Sequence, residues 1–110
     1  MAYDEDLAHR IRELIADERA VEKRMFGGLA FLIGGNMAVA ASGRGGLMVR
    51  VDPAQTDALL AKPFAEPMVM NGRAATGWLR VAAEGLGTRR QLERWVTRGV
   101  TYARSLPPKG

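Results

Sequence analysis

The sequence contains no cysteine, which removes disulfides, thiolate nucleophiles and cysteine-bound zinc together. Its one histidine, His9, has no placed serine, cysteine or second ligand with which to form a triad or a metal site. No apolar run approaches the roughly 20 residues of a membrane span. The opening Met-Ala-Tyr-Asp-Glu-Asp is acidic and lacks the apolar stretch behind a basic start that marks a secretory signal. A cytoplasmic, bacterial-type setting without membrane contact is therefore expected. No repeat and no low-complexity linker divides the chain, and 110 residues suit one domain with a real core. The domain is expected over residues 1–106, with a frayed tail at 107–110.

The net charge of +4 is unevenly spread. Residues 1–24 carry seven acids against five Lys/Arg, and residues 25–87 are close to neutral. Residues 88–110 carry six basic groups against Glu93 alone. Such asymmetry bears on partners more than on fold.

Leu7, Ile11, Leu14 and Ile15 form one apolar stripe at helical spacing. Asp4 is placed to cap that helix, with Glu5 and Asp6 at the favourable end of its dipole. From Val21 to Val51 the pattern turns to short strands. Val21–Phe26 leads to a bend at Gly27-Gly28. Leu29, Phe31 and Ile33 alternate with small or apolar neighbours, so this strand is covered on much of both faces. Gly34-Gly35-Asn36 reads as a hairpin turn, and Met37, Val39 and Ala41 continue the alternation. After the turn at Gly43–Gly46, Leu47, Val49 and Val51 point one way and Met48 and Arg50 the other. Asp52-Pro53 opens a short helix with Leu59 and Leu60 as core contacts, ended by Pro63. Asn71-Gly72 predicts a type I′ hairpin between Met68–Met70 and Arg73–Ala75. Gly77–Val81 reads as a separate last strand anchored by Trp78. Thr88 to Arg104 is the clearest helix, opened by a Thr88/Gln91 capping box. The expected fold is α+β: a twisted antiparallel sheet of five to six strands with an N-terminal, a short middle and a C-terminal helix packed on it.

Arg90, Arg94, Arg98 and Arg104 fall on one face of the last helix, with Arg89 beside them. Leu92, Trp95, Val96, Gly99 and Ala103 fall on the opposite, core-facing side. Guanidinium forks suit phosphates and acidic protein surfaces, so these five arginines are the candidate binding residues. A solvated face that keeps the helix soluble is the favoured reading; a nucleic-acid reader would interleave aromatics with the basic residues, and Trp95 and Tyr102 point the wrong way for that. Gly43-Arg44-Gly45-Gly46 is followed by a strand, not by the helix N-terminus that a phosphate loop requires. Arg50, Arg73, Arg80 and Asn36 are the remaining polar candidates for a small-ligand site, and nothing in the sequence joins them. Asp4, Glu5 and Asp6 lack cation-loop spacing. No catalytic, metal or cofactor site is assigned. The methionines of the strands read as adaptable core filler, or as a soft docking surface where Met68 and Met70 face outward.

The string Met25-Phe26-Gly27-Gly28-Leu29-Ala30-Phe31-Leu32, then Gly35-Asn36-Met37 and Leu47-Met48-Val49-Arg50-Val51, resembles the N-terminal domain of the TfoX/Sxy competence regulators. Pro67-Met68-Val69-Met70-Asn71-Gly72-Arg73 and Gly77-Trp78-Leu79-Arg80-Val81 continue the match in the family's order, over about Leu7 to Tyr102. The resemblance implies a sheet-and-helix fold similar to secretion chaperones. It also implies competence regulation beside a cyclic-AMP-responsive activator, without a catalytic site. Two-domain members carry a second, helical domain that this sequence does not include. The expected activity is non-enzymatic: a regulatory module that binds another protein, with direct nucleic-acid binding as the alternative. A homodimer through an exposed edge strand stays open.

Overall fold

The computed structural model describes residues 3–25 and 27–108, with Met70 described by its backbone alone. Phe26 and the tail residues Lys109 and Gly110 lie outside the described residues.

The first helix, α1 (Glu5–Leu14), is capped as its sequence requires: Asp4 Oδ1 accepts from the Leu7 N–H at 3.1 Å. Leu7, Ala8 and Ile11 are buried. Four strands follow as a meander: β1 (Val21–Met25), β2 (Gly28–Ile33), β3 (Asn36–Ala41) and β4 (Leu47–Arg50). A 3₁₀ turn (Pro53–Gln55) capped by Asp52 leads into the short helix α2 (Thr56–Leu60). Strands β5 (Ala65–Met70) and β6 (Arg73–Val81) form a hairpin, and α3 (Arg89–Ser105) closes the fold behind a 3₁₀ turn at Ala83–Leu86. The sheet is antiparallel throughout, in the order β1-β2-β3-β4-β6-β5. The final hairpin thus docks through its second strand, which pairs with β4 and leaves β5 at the edge.

Several expectations are corrected in detail. The bend expected at Gly27-Gly28 is a full chain reversal, with Met25 paired to Gly28 and Gly27 at φ +75°. In the next turn only Gly34 and Gly35 take positive φ; Asn36 is the first residue of β3, buried, and donates from Nδ2 to Pro107 O at 3.0 Å. The alternation in β3 breaks at Ala38. Phe31 pairs with Val39 but Leu32 pairs with Met37, so Ala38 is a bulged residue and shares the main core with Val39 while Met37 turns to the other face. Arg73–Ala75 and Gly77–Val81 are one nine-residue strand that runs through Gly77 at φ +87°. Its anchors are Leu79 and Val81, both in the core, whereas Trp78 is half-buried on the opposite side.

The two faces of the sheet differ. The main core joins residues of all three helices to Leu29, Phe31, Val39, Val49, Leu79 and Val81. A second, smaller cluster is made of strand residues only: Ala30, Met37, Ala40, Met48 and Met68, with Met25, Leu32 and Trp78 packed against it. Among the described residues no helix contributes to that cluster, yet its five residues are themselves buried, at 0–7% exposure, so Met37, Met48 and Met68 are core filler and Met68 does not face outward. The methionines lie with the two alanines and shield them, as long unbranched side chains can.

Helix α3 approaches the sheet closely at Gly99. A Cβ there would stand 2.4 Å from Ala38 O and 2.8 Å from Val39 Cγ1. The helix therefore rests its backbone directly on β3, and the bulge at Ala38 supplies the opposing surface. Around this contact Leu92, Trp95, Val96, Val100 and Ala103 bury their side chains.

Gly99→Ala separates packing from propensity. Alanine favours a helix interior over glycine by about 1 kcal/mol, yet overpacking against fixed backbone costs about 1–3 kcal/mol or more. Chemical denaturation is expected to show a net loss of about 2 kcal/mol; a gain would contradict the contact.

The exposed Arg12–Glu22 pair ties α1 to β1, with Nε–Oε2 at 2.5 Å and Nη2–Oε1 at 2.8 Å. The hydrogen bond from Arg12 holds the Glu22 carboxyl below its usual range. A lowered carboxylate pKa contributes stability that is present above the unfolded value and is lost as pH falls through the folded one. Glu22→Gln is therefore expected to cost less than about 1 kcal/mol at neutral pH and nothing in acid, read from denaturation midpoints at both pH values.

Candidate functional site: the outer side of α3 and its grooves

The capping box forms as the sequence predicts: Thr88 Oγ1 accepts from the Gln91 N–H at 3.1 Å, and Gln91 Oε1 accepts from the Thr88 N–H at 3.0 Å. Arg10 reaches across from α1 and donates to Leu86 O at 2.7 Å, which fixes the turn that feeds α3. This contact carries no sequence signal, since it joins residues 76 positions apart.

The five candidate arginines are not equivalent. Arg89, Arg90 and Arg94 are exposed. Arg104 forms a bidentate pair with Glu18, so its charge is already matched and its role is to tie α3 to the turn after α1. Arg98 is half-buried, with its guanidinium carbon 4.5 Å from the centroid of the Trp95 ring. Trp95 therefore faces the core but carries an arginine on its ring, a cation–π contact that fixes the guanidinium in place. Desolvation lowers the proton affinity of Arg98, and the nearby charge of Arg94 adds to that effect. The two ion pairs among the described residues involve Arg12 and Arg104; Arg94 and Arg98 take part in neither.

Arg98 stands between two hollows. One, of about 330 Å³, lies against the Asp52–Gln55 turn and is lined by Thr97, Thr101, Tyr102 and Ser105 among others. The other, of about 260 Å³, lies against the loop after α2 and is lined by Lys62, Phe64, Gln91, Arg94, Trp95 and Arg98 among others, with no acid in its wall. Phe64 is 47% exposed and takes φ +67°, a left-handed conformation that a bulky non-glycine residue rarely adopts. Two contacts hold it there. Its carbonyl accepts from the Ala82 N–H at 2.9 Å, and its ring lies so close to Gly85 that a Cβ on that glycine would be 2.6 Å from Phe64 Cβ and 2.8 Å from Cγ. Sequence reasoning passed over Phe64, because neither a strained backbone angle nor a glycine 21 positions away is visible in composition or periodicity.

The polar candidates Arg50, Arg73, Arg80 and Asn36 do not converge. Arg50 lies over the rings of Trp78 and Tyr102, at 5.5 and 5.7 Å. Arg80 donates to Ser42 Oγ at 3.2 Å and to Gly45 O at 3.3 Å. Arg73 is exposed beside the Asn71-Gly72 turn, and Asn36 is committed to Pro107. His9 is exposed on α1. Among the described residues, no group of three or more His, Cys, Asp or Glu side chains is placed to hold a metal ion.

The pattern of the TfoX N-terminal domain matches residues 13–103, which is most of the chain. The chain belongs to the TfoX N-terminal domain family. No curated protein and no solved structure matches it. The TfoX match spans β1 to β6 and nearly all of α3, so both the open sheet face and the α3 grooves lie within the family's domain. Among the described residues of this TfoX domain, no helix is long and apolar enough to cross a membrane.

Gly85→Ala is expected to push the Phe64 ring aside and lower stability by about 1–3 kcal/mol. The loss depends on the ring, so the same change made in a Phe64→Gly background is expected to be close to neutral. A double-mutant cycle that gives additive losses would show that the two residues do not meet.

Proposed function

We propose that this TfoX N-terminal domain is a regulatory module that acts by binding and not by catalysis, as a cytoplasmic accessory to transcription of the competence-regulator type. Family membership supports the regulatory setting. The observation that carries the binding reading is the sheet face that no helix covers. Its apolar residues include half-buried Met25, Leu32 and Trp78, with exposed Val21 beside Leu32.

The charges around that face favour a particular kind of protein partner. Cross-strand partners share a face, so Lys23 lies with Ala30, Arg80 with Met48 and Glu66, and Arg50 with Trp78. A hollow of about 430 Å³ at the β5 end is bordered by Met48, Met68, Arg44, Arg80 and Glu66. Lys23, Arg44, Arg50 and Arg80 thus border the apolar patch of Val21, Met25, Leu32 and Trp78, and among the described residues Glu66 is the one acid with them. A partner that presents apolar side chains flanked by carboxylates complements this arrangement, and the buried methionines beneath are flexible enough to repack under it. The edge strand β1 carries Glu22, Lys23 and Arg24, all exposed, and charges at an edge discourage pairing of two copies through it.

Leu32→Glu and Trp78→Ala change half-buried side chains and are expected to leave the domain folded. In a pull-down from native extract treated with nuclease, the wild-type domain is expected to retain a protein that both variants lose. Retention by both variants, or loss of all captured protein on nuclease treatment, would overturn the sheet-face reading.

A further inference from the structure

We propose that the groove between the Lys62–Phe64 turn and α3 binds a nucleotide unit of a single-stranded nucleic acid, with the base against Phe64 and the phosphate held by Lys62, Arg94 and Arg98. This site is separate from the open sheet face and stands on different observations.

The first observation is the aromatic ring. Phe64 is a large apolar side chain at 47% exposure on a left-handed backbone. Residues kept in such conformations cluster at ligand sites, where the surrounding structure over-determines them. Here Gly85 and the bond from Ala82 do so, and the ring is held against the groove instead of folding into the core. A fixed ring at a groove wall is a stacking platform, and a nucleobase is tolerated on it whatever its identity.

The second observation is the charge. Lys62, Arg94 and Arg98 line the same hollow, no carboxylate shares its wall, and none of the three is in an ion pair among the described residues. Arg98 is not a free-swinging surface arginine, because Trp95 lies beneath its guanidinium at 4.5 Å. A planar fork already oriented and partly desolvated suits a phosphate oxygen pair better than a mobile ammonium does. Arg94 and Arg90 continue the line along α3 at steps of four residues, about 6 Å of axial rise each. That spacing lets adjacent phosphates of an extended strand meet successive arginines.

The concavity separates this ligand from its rivals. A duplex keeps its bases stacked inside and can offer the groove only its backbone, so Phe64 would contribute nothing. An acidic peptide satisfies the cations but has no need of the ring. A single strand uses both, and a free nucleotide shares the chemistry of one unit of the strand.

The test is fluorescence anisotropy with a labelled oligothymidylate, titrated into the wild-type protein, Phe64→Leu, Phe64→Trp and Arg98→Gln. Circular dichroism confirms that each variant is folded, and leucine keeps an apolar contact with Gly85. Phe64→Leu is expected to weaken binding about tenfold and Phe64→Trp to restore it. Arg98→Gln is expected to flatten the slope of log affinity against log salt by about 0.7, the contribution of one phosphate in a single strand. Unlabelled mixed-sequence duplex and polyglutamate are expected to compete poorly. Unchanged binding by Phe64→Leu, or competition by polyglutamate or duplex equal to that of the strand, would overturn the proposal. Thymidine monophosphate distinguishes the source: poor competition per nucleotide supports the strand, and equal competition overturns the strand in favour of the free nucleotide.

Discussion

The contact on which the rest of the structure depends is the seating of α3 on β3 through Gly99. Where most helices stand off a sheet by the length of their side chains, this one lets its backbone approach Ala38 O at a distance that excludes even a methyl group. The rotation of α3 about its axis follows from that contact. With Gly99 down, Leu92, Trp95, Val96, Val100 and Ala103 are committed to the core, and Arg90, Arg94 and Arg98 are carried to the outer side and its grooves. The β-bulge at Ala38 belongs to the same arrangement. It adds an alanine to the helix-facing surface and turns Met37 to the opposite face, so one irregularity both seats the helix and builds the second cluster.

One consequence is that the molecule has two surfaces of different character. All three helices are used on one side of the sheet. The other side is closed by strand residues alone, chiefly methionines over alanines, with a basic surround. A layer of this kind excludes water from the alanines yet stays adaptable, because each methionine has three rotatable bonds to rearrange. On the helix side, Phe64 is the one large aromatic among the described residues that is both exposed and strained, and it shares a hollow with Arg94 and Arg98, which are in no ion pair among those residues. Both surfaces combine apolar area with positive charge, which is where the basic balance of the chain is placed. Arg104 is the exception, spent on the bond to Glu18.

Much of the architecture was legible in the sequence because local chemistry determined it. The Asp4 cap, the Asn71-Gly72 turn, the capping box at Thr88 and the two-sided burial of β2 each depend on residues close to one another. The faces of β4 also followed from simple alternation. What was not legible required long-range information. The alternation in β3 gives no hint of the bulge, since Ala38 is small enough to fit either face. Gly77 interrupts the hydrophobic pattern of β6, yet the strand passes through it, because Gly77 N donates to the buried Thr56 Oγ1 and Gly77 O accepts from the Val51 N–H. The arginine face was found as a set, but helical spacing could not tell Arg104, paired with a residue 86 positions away, from Arg94. Phe64 was invisible for the same reason: its ring is defined by Gly85 and its backbone by Ala82.

The one-sided layering of the sheet can be tested directly by NMR of methyl groups in the presence of a soluble paramagnet. Met25 and Leu32 are half-buried on the face to which no helix contributes, whereas Val39 and Val49 of neighbouring strands are fully buried beneath α3. A helix about 10 Å across covers the valines. Strong attenuation of the Met25 and Leu32 methyl signals beside protected Val39 and Val49 signals is the expected result. Equal protection of both sets would contradict an open sheet face.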